Sequence, residues 1–219
     1  MRLLLVNVCV ILLTCAVIKA DNTADKETLA KHDAVLSRVK SSFLKNNNNI
    51  RLLIQLVQEH FDNSLKYLFS SKQYGSQYVE RPGLAKYLLE ASDKQWKNAF
   101  DVLKKFLQRG GTFEDGNFIF NVTGKGELSL YETADISDRY VSTLRNVLDD
   151  SMNLSKNLNK LYLKTFKNQT NFGDLEISHY LTDKLEEEAE RTRELAGHVV
   201  TLQKMNSLGV ALHLFDSHF

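Results

Sequence analysis

The sequence predicts an all-α fold in which four long helices form a bundle. Apolar residues recur at steps of three and four over long stretches, which marks the buried face of an amphipathic helix. The ten glycines and the single proline fall at wide intervals that suit long helices, and this spacing argues against alternating strands and helices. With 219 residues, the chain is long enough to bury a core without disulfide bonds.

Residues 1–20 are predicted to be a secretory signal peptide and not part of the fold. Arg2 gives a positive start, residues 3–18 are almost entirely apolar, and Ala20 provides a small residue for cleavage. A membrane anchor is the alternative, but the apolar run is short for a membrane-spanning helix, and no later stretch resembles one. The protein is therefore expected to be secreted and free of the membrane once the signal is removed.

Cysteine usage and sequons agree with secretion. Both cysteines lie within the signal peptide, which excludes cysteine metal sites and cysteine nucleophiles from the mature chain. Sequons occur at Asn121, Asn153 and Asn168. Asn121 and Asn168 lie in loop-like stretches and are the candidate glycosylation sites, whereas Asn153 lies within a predicted helix. The 28 basic and 27 acidic residues form no basic patch, so no nucleic-acid partner is expected.

An N-terminal extension, residues 21–48, precedes the bundle and is predicted to contain a helix over 25–44. The asparagine run 46–49 breaks or caps this helix, because asparagine competes for backbone hydrogen bonds. The first bundle helix is predicted over 50–72, with His60 at the border of its inner face. That face is assigned to Leu53, Val57, Phe61, Ser64, Leu65 and Leu68.

The second bundle helix, between Gly83 and Gly111, carries the most informative pattern. Its apolar stripe consists of Leu84, Leu88, Ala91, Ala99, Val102 and Phe106. Gln95 and Asn98 fall inside that stripe. Because a buried polar side chain costs free energy unless it is hydrogen-bonded, these two residues are candidates for a function.

The second half of the chain is predicted to contain two more long helices and a short one. The connection 112–136, which holds an extended segment over 118–122, is too long for a compact domain unless it spans the bundle. The third helix is predicted over 137–166, and Asp174 caps a fourth that ends near Asn206. Ser151 lies on the apolar stripe of the third helix, and Glu188 lies on that of the fourth. A short apolar helix is predicted after Gly209.

Three strings, in order along the chain, resemble the ferritin family. Gly83 to Gly111 is similar to the second helix and following turn of ferritins, Arg193 to Met205 to the fourth helix, and Leu214 to His218 to the short last helix. The leader, sequons and extension are similar to those of secreted insect ferritins. The resemblance implies a ferritin-like four-helix bundle over 49–219, with a long crossover between helices 2 and 3 and a short fifth helix at shell axes.

The resemblance also implies that the family's di-iron oxidation centre is degenerate here. The second helix of the family supplies two acids and a histidine, and these positions fall on Lys94, Gln95 and Asn98. The acid of the first helix becomes His60, and the glutamine of the fourth becomes Glu188. The acid of the third helix falls near Leu148 or Asp149, and the tyrosine beside the centre is kept as Tyr67.

One histidine and one glutamate cannot hold two irons, because ligand identity and number decide a metal site. We therefore expect no bound di-iron centre and no enzyme activity. The polar residues are expected to form a buried hydrogen-bonded network, or an ion pair with Lys94, in place of metal. A single weakly held metal ion at His60 and Glu188 is the alternative.

Two further features contain residues that bind metals in other proteins, but neither is interpreted as a metal site here. Glu176 and His179 match Glu-x-x-His, but they lie at the start of the fourth helix, far from the bundle centre, and are interpreted as a surface or inter-subunit pair. His198 is interpreted as a packing or interface histidine.

The resemblance implies an iron-storage subunit of light-chain type, which stores ferric mineral and assembles with a catalytic heavy-type subunit and copies of itself in a shell of twenty-four. The candidate mineral-nucleation acids are Glu90, Asp93, Asp101, Glu187, Glu190 and Glu194, and the alternative is a solvated charged face. A secreted four-helix signalling or carrier protein without iron is the alternative function, and an oxidase with unusual ligands is a third.

Overall fold

The computed structural model describes residues 40–112, 136–167, 174–205 and 209–219, and every regular element in these ranges is helical. The compact unit is Ser41–Phe219. A single 3-10 turn at Ser42–Lys45 precedes five α-helices: α1 (Asn47–Tyr74), α2 (Pro82–Gln108), α3 (Ile136–Lys167), α4 (Leu175–Lys204) and α5 (Val210–Ser217). Within the described ranges, no helix is both long enough and apolar enough to cross a membrane. The all-α prediction is confirmed.

The predicted helix over 25–44 does not reach its predicted end. Ser41 is extended, and its hydroxyl accepts a hydrogen bond from the Phe43 amide to cap the 3-10 turn. Asn46 then caps α1 by accepting from the Asn48 amide, which agrees with the breaking role predicted for the asparagine run. Phe43 and its neighbour Leu44 are buried in the core, whereas residues 25–39 lie outside the described ranges.

The inner face of α1 follows a heptad spacing and corrects part of the prediction. Its buried residues at alternating steps of four and three are Leu53, Val57, His60, Ser64, Tyr67, Ser71 and Tyr74. Leu65 and Leu68, which were assigned to this face, are 39% and 37% exposed. In a left-handed bundle, the positions that face the other helices repeat every 3.5 residues. Positions assigned with a repeat of 3.6 residues therefore rotate gradually away from the core and lie on the flank of the helix.

The hydrogen bonds between helices fix the direction of each helix. Facing pairs between α1 and α2 are His60–Gln95, Ser64–Ser92 and Ser71–Ala85, so these helices are antiparallel. Facing pairs between α1 and α3 are Glu59–Asn157 and Lys66–Asp150, which are antiparallel too. Hence α2 and α3 are parallel, and their connection must return along about 40 Å of bundle. The predicted extended segment 118–122 belongs to this connection and lies outside the described residues.

The apolar core is divided into two clusters by a polar layer at the middle of the bundle. One cluster includes Phe61, Phe106 and Leu158, and the other includes Leu84 and Leu144. Between the two clusters, each of the four long helices, α1 to α4, has a polar side chain at an inward-facing heptad position. The next subsection describes this layer, since it contains most of the candidate site residues.

The short helix α5 is held against the start of α2 by one carboxylate. Asp216, 2% exposed, accepts hydrogen bonds from the backbone amides of Gly83 (3.0 Å) and Leu84 (2.8 Å) and from the Tyr140 hydroxyl (3.1 Å). The residue before α2, Arg81, makes no capping side-chain hydrogen bond, so Asp216 supplies the missing cap. A Cβ atom on Gly83 would lie 1.7 Å from the Asp216 carbonyl oxygen, so this close approach requires glycine.

Candidate functional site

Four helices contribute buried polar side chains to the layer at the bundle centre. The residues are His60 from α1, Gln95 and Asn98 from α2, Ser151 from α3, and Glu188 and Arg191 from α4, all buried. The sequence predicted His60, Gln95, Asn98 and Glu188 as interior polar groups. The structure places all four in this layer but does not join them into one network.

His60 and Gln95 form one pair in this layer. The Nδ1 atom of His60 lies 2.5 Å from Oε1 of Gln95. Because an amide oxygen only accepts, Nδ1 carries the proton and Nε2 keeps a lone pair. Burial lowers the pKa of His60 to about 4, opposed by the Gln95 hydrogen bond and reinforced by the positive charges of Lys184 and Arg191. The imidazole is therefore neutral at physiological pH.

Glu188 is held by α3 through a hydroxyl group. The Ser151 hydroxyl donates to Oε1 of Glu188 at 2.5 Å and lies 2.8 Å from the Thr192 hydroxyl. The predicted third-helix position, Leu148 or Asp149, is wrong: Leu148 is only half-buried, Asp149 is exposed, and Ser151 faces the centre. The heptad register of α3 places Ser151 inward, and a neutral hydroxyl cannot replace a carboxylate ligand for iron.

Two cations from α4, Lys184 and Arg191, occupy the layer and its edge, and sequence reasoning missed both. The Lys184 ammonium donates to Oδ1 of Asn98 at 2.8 Å. Nη1 of Arg191 lies 3.7 Å from Oε1 of Glu188, and the guanidinium lies 5.6 Å from the ring centre of Tyr67. The steps Leu181, Lys184, Glu188, Arg191 and Leu195 alternate three and four, so a strict heptad would have found them.

Lys94 lies outside the buried layer. Its side chain is 44% exposed and pairs with Glu187 at 3.0 Å, so Lys94 does not serve as the partner of the buried residues. Tyr67, the tyrosine kept beside the centre, is 1% exposed, and its hydroxyl donates to Asp150 at 3.3 Å. Within the ranges that the structure describes, no three His, Cys, Asp or Glu side chains converge to hold a metal ion.

A groove of about 470 Å³ between α2 and α4 leads outward from this layer. Its lining consists of Asp93, Lys94, Lys97, Asn98, Asp101, Lys184 and Glu187. Lys184 lies 3.3 Å from Glu187 and 3.5 Å from Asp101. Burial alone would raise the pKa of Glu187, but Lys94 and Lys184 hold it below its ordinary value. The groove therefore contains a ladder of ion pairs between the two helices.

The six candidate nucleation acids are not equivalent. Asp101 and Glu187 share the charge of Lys184, whereas Glu194 lies 3.7 Å from His198. Glu90, Asp93 and Glu190 are exposed, and no ion pair is found for them among the described residues. Carboxylates that already face an ammonium group attract a ferric ion less strongly than free ones.

The two sequence motifs interpreted as non-ligands have other partners. Glu176 accepts from Lys105 at 3.0 Å and from Arg109 at 2.8 Å, while His179 is exposed. His198 packs 4.7 Å from the ring of Phe219, which agrees with a packing role. Of the sequons, Asn153 is exposed on α3, whereas Asn121 and Asn168 lie outside the described residues.

The Arg109 end of the bundle is fixed by a second carboxylate, Asp174. Asp174 caps α4 by accepting from the Ile177 amide, as predicted from the sequence. It also accepts from Nη2 of Arg109 at 2.6 Å and from the Ser41 hydroxyl. Burial would raise the pKa of Asp174, but its hydrogen bonds with Ser41 and Arg109 lower it. These contacts tie the N-terminal segment and α2 to α4.

The parallel pair α2 and α3, the central polar layer and the short α5 define the class of ferritin-like four-helix bundles. No protein-family model matches the chain. A ferritin light chain of Trichoplusia ni is 29% identical over 166 residues, which cover 73% of this chain and 69% of that relative. A ferritin heavy chain of the same insect is 26% identical over 162 residues, covering 74% and 73%.

The solved structures include a similar fold. The crystal structure of Trichoplusia ni secreted ferritin matches with a TM-score of 0.65 and 26% identity, over 79% of this chain and 82% of that one. With the fold described above, these similarities support a ferritin-family protein.

Proposed function

We propose that this chain is a non-catalytic, light-chain-like subunit of a secreted, iron-storing ferritin shell. The observation that carries the proposal is the presence of Lys184 and Arg191 in the layer where a metal centre would lie. Iron prefers carboxylate and imidazole ligands, whereas fixed cations at short range oppose a metal ion. Stored iron is the cargo of such a shell and not a resident cofactor of this chain.

The chemistry of the layer argues against iron oxidation. Gln95, Asn98 and Ser151 offer neutral oxygens in place of acids, and none carries the charge that an oxidised iron pair requires. Glu188 is the one carboxylate of the layer and is already engaged by Ser151 and Arg191. The predicted single weak metal at His60 and Glu188 is disfavoured on the same ground, because Arg191 competes for the carboxylate.

Assembly and secretion rest on the comparisons and on sequence. The chain is similar to both a light and a heavy chain of one insect and to a secreted ferritin structure, which supports assembly with a heavy-type partner and with copies of itself in a shell of twenty-four. The apolar leader over residues 3–18 and the sequons at Asn121 and Asn168 support passage through the secretory pathway with glycosylation. The family assignment favours this function over a signalling or carrier protein.

The shell wall is the place where this chain would act on iron. Glu90, Asp93 and Glu190 are the acids left free to attract ferric ions, whereas Asp101 and Glu187 are partly neutralised by lysine. We therefore propose at most a modest nucleating role, carried by the first three.

Co-expression with a heavy-type ferritin subunit tests the proposal. We expect the two chains to leave the cell in one large assembly and the shell to fill with iron. Purified alone, this chain should oxidise Fe(II) no faster than buffer in stopped-flow measurements, while the heavy-type chain serves as the positive control. A chain that is secreted only as a monomer, or that oxidises Fe(II) on its own, contradicts the proposal.

A further inference from the structure

The polar layer contains hydrogen-bond donors that have no acceptor. Nε2 of Gln95 and both terminal nitrogens of Arg191 are buried and make no hydrogen bond within the described part of the chain. Gln95 is 0% exposed and Arg191 is 6% exposed, so bulk water does not satisfy them. Buried donors in folded proteins nearly always have a partner, and a group left without one raises the free energy of the folded state.

The acceptors near these donors are engaged or out of reach. The amide oxygen of Gln95 accepts from His60. Oε1 of Glu188 accepts from Ser151 and stands 3.7 Å from Nη1 of Arg191, beyond hydrogen-bonding distance. The phenols of Tyr67 and Tyr87 lie beside the guanidinium, but they leave its two terminal nitrogens, Nη1 and Nη2, without an acceptor. Nε2 of Gln95 and the two terminal nitrogens of Arg191 are therefore left without an acceptor among the described residues.

The charged side chains around the layer bear on whether a cation or an anion could bind there. Lys184 and Arg191 bring two positive charges, and both lower the pKa of the neutral His60. The nearby acids already face these cations: Glu188 faces Arg191, and Glu187 and Asp101 face Lys184. A cation in the layer would compete with Lys184 and Arg191 for these paired carboxylates, whereas an anion gains the unsatisfied N–H donors of Gln95 and Arg191.

We propose that the centre of this bundle binds a small monovalent inorganic anion, of the chloride class, between Gln95 and Arg191. The anion accepts hydrogen bonds from Nε2 of Gln95 and from the Arg191 guanidinium. The layer that binds metal cations in catalytic relatives thus has the opposite charge preference here. This inference goes beyond the proposed function, because a subunit without oxidase activity is compatible with either an occupied or an empty layer.

Bromide, a heavier halide with anomalous scattering, tests the site directly. Crystals of the assembled protein grown in sodium bromide should show an anomalous peak within hydrogen-bonding reach of both Gln95 and Arg191. Light density without anomalous signal would show that water alone fills the layer. A direct bidentate pair between Arg191 and Glu188 would show that no ligand is needed. Either of these results overturns the proposal.

Stability in solution provides a second readout with a matched control. At constant ionic strength, replacing gluconate by chloride at about ten times its dissociation constant should raise the Tm by about 3–6 °C. Arg191→Met should abolish this rise, whereas Arg193→Met, which removes the same charge from an exposed position of α4, should keep it. An equal chloride response in both variants contradicts the assignment.

Gln95→Leu covers the case in which Arg191→Met fails to fold. It removes the neutral donor without changing the charge of the layer, so we expect a weaker chloride response and a lower bromide occupancy. These results are separable from the oxidase test, because an absent bromide peak leaves the Fe(II) measurement and the assembly measurement unchanged.

Discussion

Single residues decide the chemistry of this bundle. His60, Gln95, Asn98 and Glu188 were predicted as interior polar groups because each interrupts or borders an apolar stripe, and all four are buried. Ser151 was predicted to face inward but was not assigned to the site, and Lys184 and Arg191 were missed. A charged residue is normally assigned to the solvent face, and a register error of one residue rotates a side chain by about 100° around a helix.

The buried neutral His60 predicts a dependence of stability on pH. In the unfolded chain the pKa of His60 is 6.5, whereas in the folded chain burial lowers the pKa of His60 to about 4. Between these values the unfolded state binds more protons, so the free energy of unfolding falls as the pH drops, by up to about 3 kcal/mol. Above pH 6.5 this contribution is fully present.

Denaturant unfolding from neutral pH down to about pH 4 measures this effect, with the protein compared to two variants. His60→Gln should flatten the pH dependence, and His179→Gln, at an exposed position of α4, should leave it unchanged. If the His60 and His179 variants keep the same slope, the pH effect comes from other groups.

Whole elements were predictable where their pattern is local. The bounds of α1 to α4 agree with the predicted helices within a few residues, because the glycines, Pro82 and the Asp174 cap mark their ends. The inner face of the second half of α1 was not predictable from a 3.6-residue period, since Leu65 and Leu68 fit that period but lie on the flank. The Asp216 cap of α2 was missed because it joins residues far apart in sequence.

The Asp216 cap predicts the effect of two substitutions on stability. Gly83→Ala places a methyl group 1.7 Å from the Asp216 carbonyl oxygen, so α5 must move, at a cost of about 1–3 kcal/mol or more. Asp216→Asn removes the anion at the helix N-terminus and replaces one of the two accepting oxygens by an NH2 group that cannot accept, so it should cost about 1–3 kcal/mol.

Thermal unfolding and limited proteolysis of the C-terminus measure these costs, with Gly197→Ala as the matched control. A Cβ atom on Gly197 meets nothing within 4 Å, so this variant should lie within about 1 kcal/mol of the parent, on the stabilising side. A Gly83→Ala protein as stable and as protease-resistant as the Gly197→Ala protein would show that the contact at Gly83 is not required.

At the scale of the whole molecule, length and topology were predictable and packing was not. A connection as long as 112–136 predicted a crossover, and the antiparallel pairs of α1 with α2 and with α3 confirm that α2 and α3 are parallel. The outward surface is less predictable, because it depends on what a subunit touches. Within the described residues, α1 exposes Leu65, Leu68 and Phe69 at 37–42%.

This apolar patch predicts a defect in assembly and not in folding. Leu65→Glu and Leu68→Glu place charges on a surface that we expect to be buried against a second ferritin subunit. Sedimentation of secreted protein should show a shift from large assemblies toward small species, with circular dichroism unchanged. Lys72→Glu, which changes charge at an exposed position of the same helix, is the control and should assemble normally.

The cap that Asp216 places on α2 has a consequence for biosynthesis. Leu84 leaves the ribosome 132 residues before Asp216, whose carboxylate accepts a hydrogen bond from the Leu84 amide, so the second helix stays incompletely capped while the rest of the chain is translated. Nascent polypeptides stalled before codon 216 should therefore show weaker protection of the first turn of α2 than full-length released protein. Completion of the native bundle is thereby tied to the synthesis of α5.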